Sequence, residues 1–336
     1  MESVQVSVVV TAHDRKKYLK GAIKSLLRQS VDRNNFEIIV VKNYRDREID
    51  DFLSSNNIVN VFTDSKSFGA KLSEGIKNSS GEIIAFLDDD DEFAPQKIER
   101  IIEEFRENKS LNYFHNGIIQ VGESGAEIEE PKNSRKDIDK FLIRTPPENL
   151  AELHVLSRLR GDWYMSCIAV RKKMAAEFID FVNSTSFSLD RVFFILSAAM
   201  AGNILLSSEA LTKYRLHESI TGIKSTFHEY CQKKLKFFEN TFNVLLQLEM
   251  SIGKNNTLMQ YIKIQETHNM ENILLYDSHG KRIRRAKVAI KLYQSYFNIK
   301  DRLFLILSIL MIFSFLSPRV TSYLHYLYQI KKISSL

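Results

Sequence analysis

Over the first two thirds of the chain, short apolar runs alternate with amphipathic stretches. Val6 to Thr11 is a β-branched run, and Leu19, Ile23, Leu26 and Leu27 follow at helical spacing, which predicts strand, loop and helix. Phe36 to Val41 is the next strand. Ile49, Phe52 and Leu53 mark a short helix, Ile58 to Phe62 a third strand, and Leu72 with Ile76 a helix closed by the Ser79-Ser80-Gly81 turn. Ile83 to Leu87 is a fourth strand, and after Pro95 the positions Ile98, Ile101, Ile102 and Phe105 predict another helix. A strand near Tyr113 to Val121, a polar loop over 122–136, a buried strand over 160–172, a helix over 190–201 and an extended segment over 203–215 complete this part.

Such alternation predicts an α/β fold: a mostly parallel, Rossmann-like sheet with helices on both faces, whose ligands bind at the carboxyl ends of its strands. Beyond about residue 222 Pro and Gly become rare and the pattern turns helical. The expected organisation is therefore a catalytic domain over 1–222 and a helical C-terminal region over 223–336.

Composition narrows the class. With 44% apolar and 26% charged residues the 336-residue chain is neither disordered nor a membrane protein of many spans. Its two cysteines, Cys167 and Cys231, make no disulfide framework. The opening residues lack the basic and apolar regions of a secretory signal, so the expectation is cytosolic. The net charge of +6 is uneven, because Lys281, Arg282, Arg284, Arg285, Lys287 and Lys291 crowd ahead of an apolar C-terminal stretch. That arrangement suits an anionic membrane surface, and no nucleic-acid-binding module is visible.

Asp88-Asp89-Asp90-Asp91 directly follows the fourth strand. Four crowded carboxylates repel one another, and a hard divalent cation, Mn²⁺ or Mg²⁺, would relieve the repulsion and bridge to phosphate oxygens. Alternate side chains of a strand share a face, so Asp88 and Asp90 point together wherever the extended geometry persists. The other reading is a solvated acidic turn at the N-terminus of the helix near Pro95.

These segments together resemble glycosyltransferase family 2, whose members have the GT-A fold and invert at the anomeric carbon. The run Val6 to Arg15 is similar to the family's opening strand and nucleotide loop, and Ser25-Leu26-Leu27-Arg28-Gln29 to the helix after it. Gly81 to Asp91, with Pro95 four residues on, resembles its Asp-x-Asp region. Leu189-Asp190-Arg191 resembles the motif that supplies the catalytic base, and Tyr214-Arg215-Leu216-His217 the closing Tyr-Arg-x-His segment.

The resemblance implies a nucleoside-diphosphate sugar as donor, bound by Thr11, Ala12, His13, Asp14, Lys71, Asp88 and Asp89. It implies Asp88 at the ribose or the metal, Asp90 on the metal, His217 as a further ligand or a diphosphate hydrogen bond, and Asp190 as general base toward an acceptor hydroxyl. Two departures stand out. The second strand ends in Lys42-Asn43-Tyr44 where the family usually has an acidic pair, and Ser67-Phe68-Gly69-Ala70-Lys71 places a lysine where an arginine is common.

Trp163 and Tyr164 are either a stacking surface for an acceptor sugar or part of the core beside Cys167 to Val170. Asp162 is either an acceptor contact or a turn residue. Leu303 to Leu316 is too short to span a bilayer, which takes about 20 apolar residues. The expectation is that 296–332 lies in the cytosolic membrane interface, the alternative being a buried hairpin or an oligomer contact. The acceptor expected is a lipid-linked or cell-surface glycan. Two other functions remain open: nucleotidyl transfer, and a glycan-binding scaffold without turnover.

Overall fold

The computed structural model describes residues 4–14, 16–128, 139–216, 226–252, 255–277, 282–299, 302–318, 320–324 and 326–327. Two compact units form, one from residues 1–147 with 155–216 and one from 148–154 with 217–336.

Up to Leu216 the elements are, in chain order, β1 (Val6–Ala12), α1 (Leu19–Leu26), β2 (Phe36–Lys42), α2 (Arg47–Ser55), β3 (Val59–Phe62), α3 (Phe68–Lys77), β4 (Ile83–Asp88) and β5 (Glu92–Phe93). They continue with α4 (Lys97–Glu107), β6 (Leu111–Val121), β7 (Lys140–Thr145), α5 (Leu150–Arg158), β8 (Ile168–Arg171), α6 (Lys172–Glu177), α7 (Ile179–Ser184), α8 (Leu189–Ala199) and β9 (Gly202–Arg215). The strands make one sheet in the order β3-β2-β1-β4-β8-β6-β9-β5, with β7 also on β9.

The half from β3 to β4 is parallel, and β8 then runs antiparallel to both β4 and β6. β1 is buried at every position, as a central parallel strand covered on both faces must be. Val6, Val8 and Val10 pack with Leu19 and Ile23 of α1, Leu53 of α2 and Ile98 and Ile101 of α4. On the opposite face Val9 lies against α3, and Phe86 of β4 meets Phe193 of α8 with ring centroids 4.8 Å apart. The result is the α/β arrangement expected, with helices on both faces but a mixed rather than mostly parallel sheet, β4 at its centre and the acidic run at its carboxyl end.

The strand expected over 160–172 is shorter than its apolar pattern. Arg160 and Tyr164 have φ of +57° and +62°, which break an extended backbone, and Met165–Cys167 form a 3₁₀ turn before β8. The strand β7 and the helices α5 to α7 were not anticipated. Six-residue helices such as α6 and α7 are too short to display a helical period.

The second unit is helical: α9 (Phe227–Ser251), α10 (Asn256–Tyr276), α11 (Arg282–Ile299) and α12 (Arg302–Leu316). α9 starts at a capping box in which Thr226 and Glu229 satisfy each other's backbone N–H groups. Its small core joins Ile264, Leu274 and Leu275 of α10 to Val288, Ala289 and Leu292 of α11 and Met311 of α12. Among the described residues no helix is long and apolar enough to cross a membrane.

Candidate active site

β4 ends at Asp88 and the chain turns at once, Asp91 N donating to Asp88 O at 3.2 Å, before β5 pairs with β9. This turn, not alternation along a strand, gathers the acids. Oxygens of Asp88, Asp90 and Asp91 lie within 4.8 Å of one another, while Asp89 accepts from His13 N at 3.3 Å. The solvated-turn reading fails on burial, since Asp89 and Asp91 are 4% and 2% exposed. Nor does the run cap α4, whose N-cap is Gln96 with no side-chain bond.

Like charges in a buried place raise one another's pKa. Burial first, then Asp90, Asp91, Asp89 and Asp190, push the Asp88 carboxyl well above the carboxylate range. Burial and Asp90 push Asp91 up to about 7, against the pull of the Ser166 hydroxyl, the Arg215 N–H and Lys97. Three hard oxygen donors converging under this strain fit a hard divalent cation such as Mn²⁺ or Mg²⁺.

The cluster is built from behind. Ser166 Oγ accepts from Asp88 N at 3.0 Å and its hydroxyl donates to Asp91. The fully buried Lys97 ammonium donates to Ser166 O and, at 2.7 Å, to Thr212 Oγ1, and burial lowers it to about 7. Arg215 closes the other side: its N–H donates to Asp91 Oδ1 at 2.9 Å, its Nε to Asp90 O at 2.9 Å and its Nη2 to Glu92 at 2.8 Å. The sequence assigned no site role to Asp91, Ser166, Lys97 or Arg215. Arg215 carried a signal, lying within the Tyr-Arg-x-His segment, whereas Ser166 and Lys97 carried none.

The residues expected at the donor line the carboxyl ends of β1 and β4. Thr11 Oγ1 lies 3.5 Å from Asp88 Oδ1, Ala12 is buried, and His13 and Asp14 are exposed, Asp14 with φ of +51°. Asn43 clamps that turn, accepting from Asp14 N at 3.1 Å and donating to Asp14 Oδ1 at 2.8 Å. Lys71 reaches it from α3, its buried ammonium 2.7 Å from His13 Nδ1. Burial lowers the Lys71 pKa, with Asp14 and Asp89 opposing. At the end of β2, Lys42 is buried and spent on Asp50 at 2.8 Å and Tyr44 O at 2.7 Å.

Asp190 sits in the first turn of α8, and burial with Asp162 raises it to about 6 against the pull of Arg191. Asp162 is buried, accepting from Arg191 Nε at 3.0 Å and from Ser157 Oγ at 3.3 Å. Its carboxylate is thus committed to Arg191 and Ser157. Trp163 is 46% exposed and therefore not core. Tyr164 bridges to Tyr214, ring centroids 4.6 Å apart, and burial first, then the nearby Asp91, raises the Tyr214 pKa. His217 lies outside the described residues.

Residues 7–165 match the family model described as Glycosyl transferase family 2. This match and the glycosyltransferase relatives support assignment to glycosyltransferase family 2. The chain is 26% identical over 227 residues to an uncharacterized glycosyltransferase of Haemophilus influenzae, covering 66% of this chain and 68% of that protein. Similarity to an uncharacterized glycosyltransferase of Nostoc is 27% over 152 residues, and there the chain spans 46% of its relative's length.

The fold is similar to that of S. aureus TarS residues 1–349, crystallised with UDP-GlcNAc. The TM-score is 0.53 at 14% identity, over 98% of this chain and 92% of that one. The family match and the glycosyltransferase relatives support a transferase, and its α/β fold with a helical C-terminal region is like that of TarS.

Proposed function

We propose that the enzyme moves a sugar from a nucleoside-diphosphate sugar to an acceptor hydroxyl in one inverting displacement, with Asp190 as general base. The observation that carries this reading is the convergence of Asp88, Asp90 and Asp91 at the carboxyl end of β4, with Asp190 near enough for its charge to act on Asp88. Asp88, Asp90 and Asp91 are the ligands proposed for Mn²⁺ or Mg²⁺, with His217 as a further one. When bound, the cation neutralises charge on the leaving diphosphate.

Thr11, Ala12, His13 and Asp14 hold the donor, with Asp88 and Asp89 toward its ribose, and Lys71 fixes the His13 ring through its 2.7 Å contact. Asp190 takes the acceptor's proton, and a pKa raised to about 6 places it near the pH at which a carboxylate base works best. Trp163, Tyr164 and Tyr214 offer ring faces to an acceptor sugar. The acceptor class we favour is a lipid-linked or cell-surface glycan reached from the cytosolic face of a membrane. Uridine is the first base to test, because TarS was crystallised with UDP-GlcNAc. Its recognition here would not use an acid at the end of β2, where Lys42 stands.

Calorimetric titration of uridine, guanosine, thymidine and cytidine diphosphate sugars, with and without Mn²⁺ or Mg²⁺, tests the reading. Expected is metal-dependent binding of one donor class, lost in Asp90→Asn and kept in Asp190→Asn, whose transfer is abolished. A folded wild-type protein that binds none of the donors with either metal would overturn it.

A further inference from the structure

The helix α12 is inside out. Its two serines, Ser308 and Ser314, are 3% and 0% exposed and turn inward beside Met311, their hydroxyls bonded to Leu305 O and Met311 O at 2.8 Å. The outward positions are Ile306, Ile309, Ile312 and Phe313, each 46–60% exposed. A helix that faces water does the reverse. On α11 the outward face mixes Ile290, Tyr293 and Phe297 with the exposed Lys287 and Lys291. Val288, Ala289 and Leu292 of α11 meet Met311 of α12 on the inner side, so the exposed rows belong to one packed helix pair. A contiguous apolar face of this kind marks a place where something other than water is met.

Charge says what. Residues 278–336 hold eleven lysines and arginines and a single acid, Asp301, for a net +10, which leaves the rest of the chain at −4. Two copies of this face would bring like charge against like charge, whereas an anionic surface is attracted. At 15 residues α12 is about 22 Å long, short of the roughly 30 Å hydrocarbon core, so it does not cross. Tyrosine and lysine beside aliphatic side chains are the residue types of the bilayer interface.

We propose that the outer face of α11 and α12 docks on an anionic lipid bilayer, with α12 lying in the interface plane. The docking stands on its own physics and does not depend on the transfer chemistry above. It would hold the enzyme where lipid-linked acceptors are found.

The test is co-sedimentation of the full chain with vesicles of neutral phosphatidylcholine alone and of phosphatidylcholine with anionic phosphatidylglycerol. Expected is binding to the anionic vesicles that weakens with salt, and far weaker binding to the neutral ones. Ile309→Glu with Phe313→Glu should abolish it, both positions being exposed. Lys287→Gln and Lys291→Gln should each weaken partitioning about fivefold, and they keep the proposal testable if the glutamate variant does not fold. Equal binding to both vesicles, or binding untouched by the substitutions, overturns the proposal. So does a dimer in sedimentation velocity that Ile309→Glu breaks, in a protein that ignores both vesicles; the face then belongs to a second copy.

Discussion

Arg191 donates from Nε to Asp162 Oδ2 at 3.0 Å, tying the residue beside Asp190 to a fully buried carboxylate from the loop ahead of β8. Breaking a buried pair by removing one charge is costly because the other is left behind. Asp162→Asn is expected to lose about 2–3 kcal/mol of stability in urea denaturation, short of a fully buried pair because Arg191 keeps some solvent contact. If the pair positions Asp190, kcat falls further than donor affinity, and Arg191→Gln added to Asp162→Asn costs little more. Full additivity of the two substitutions would refute the coupling.

The rate should depend on pH through Asp190. Only its ionised form accepts a proton, so with a pKa of about 6 the acid limb of kcat rises through about pH 6 instead of the ordinary carboxylate region. Asp88, Asp162 and Arg191 are the charges around it. Asp162 raises the Asp190 pKa and Arg191 lowers it. Asp162→Asn therefore shifts the limb to lower pH and Arg191→Gln to higher pH. Shifts of the same sign in both variants would defeat this account.

The parallel half of the sheet and the place of the acids were legible because buried β-branched runs such as Val6 to Val10 and Ile83 to Leu87 have few other solutions. The grouping of the acids was less so. Period-two reasoning pairs Asp88 with Asp90, but β4 ends at Asp88, and it is the following turn that brings Asp91 in. Asp162 read as a turn or acceptor residue because its partner Arg191 is distant in sequence. Lys97 and Ser166 were invisible for the same reason: a helical lysine and a serine in an apolar run acquire meaning only when the fold brings α4 and the turn ahead of β8 together beside the acids.

The acid site should make metal-free protein less stable as pH rises from about 4 to 7. Asp91 and Asp190 have folded pKa values of about 7 and 6, above the unfolded value of 3.8, so between these limits the folded state binds more protons than the unfolded one. The stability these two groups contribute is fully present below the unfolded pKa and is lost up to about pH 7. Asp190 alone accounts for on the order of 3 kcal/mol of that loss. The melting temperature of metal-free protein should therefore be higher at pH 5 than at pH 7.5, and Mn²⁺ should raise it more at pH 7.5. Asp190→Asn should flatten the slope, and a metal-free melting temperature that climbs with pH would contradict the assignment.

The seam between α3 and the segment leading to Asp190 leaves no room at Gly69. A Cβ there would stand 2.0 Å from the carbonyl oxygens of both Val182 and Thr185. These are backbone atoms, so no side-chain rotation relieves the clash, and α3 must move away from α7. The same seam holds the Ser67 Oγ and Ser186 Oγ contact at 2.9 Å, and Lys71, which meets His13, is two residues along the helix. Gly69→Ala is thus expected to cost about 3 kcal/mol. Donor affinity and kcat should fall together, because Lys71 and Asp190 lie on the two sides being pushed apart. Ser67→Ala, which removes only the N-cap bond to Ala70 and the contact to Ser186, should cost about 1 kcal/mol and serves as the control. A Gly69→Ala protein as stable as wild type in urea would mean that α3 and α7 slide freely, and that the donor and base sides of the site are not held by this seam.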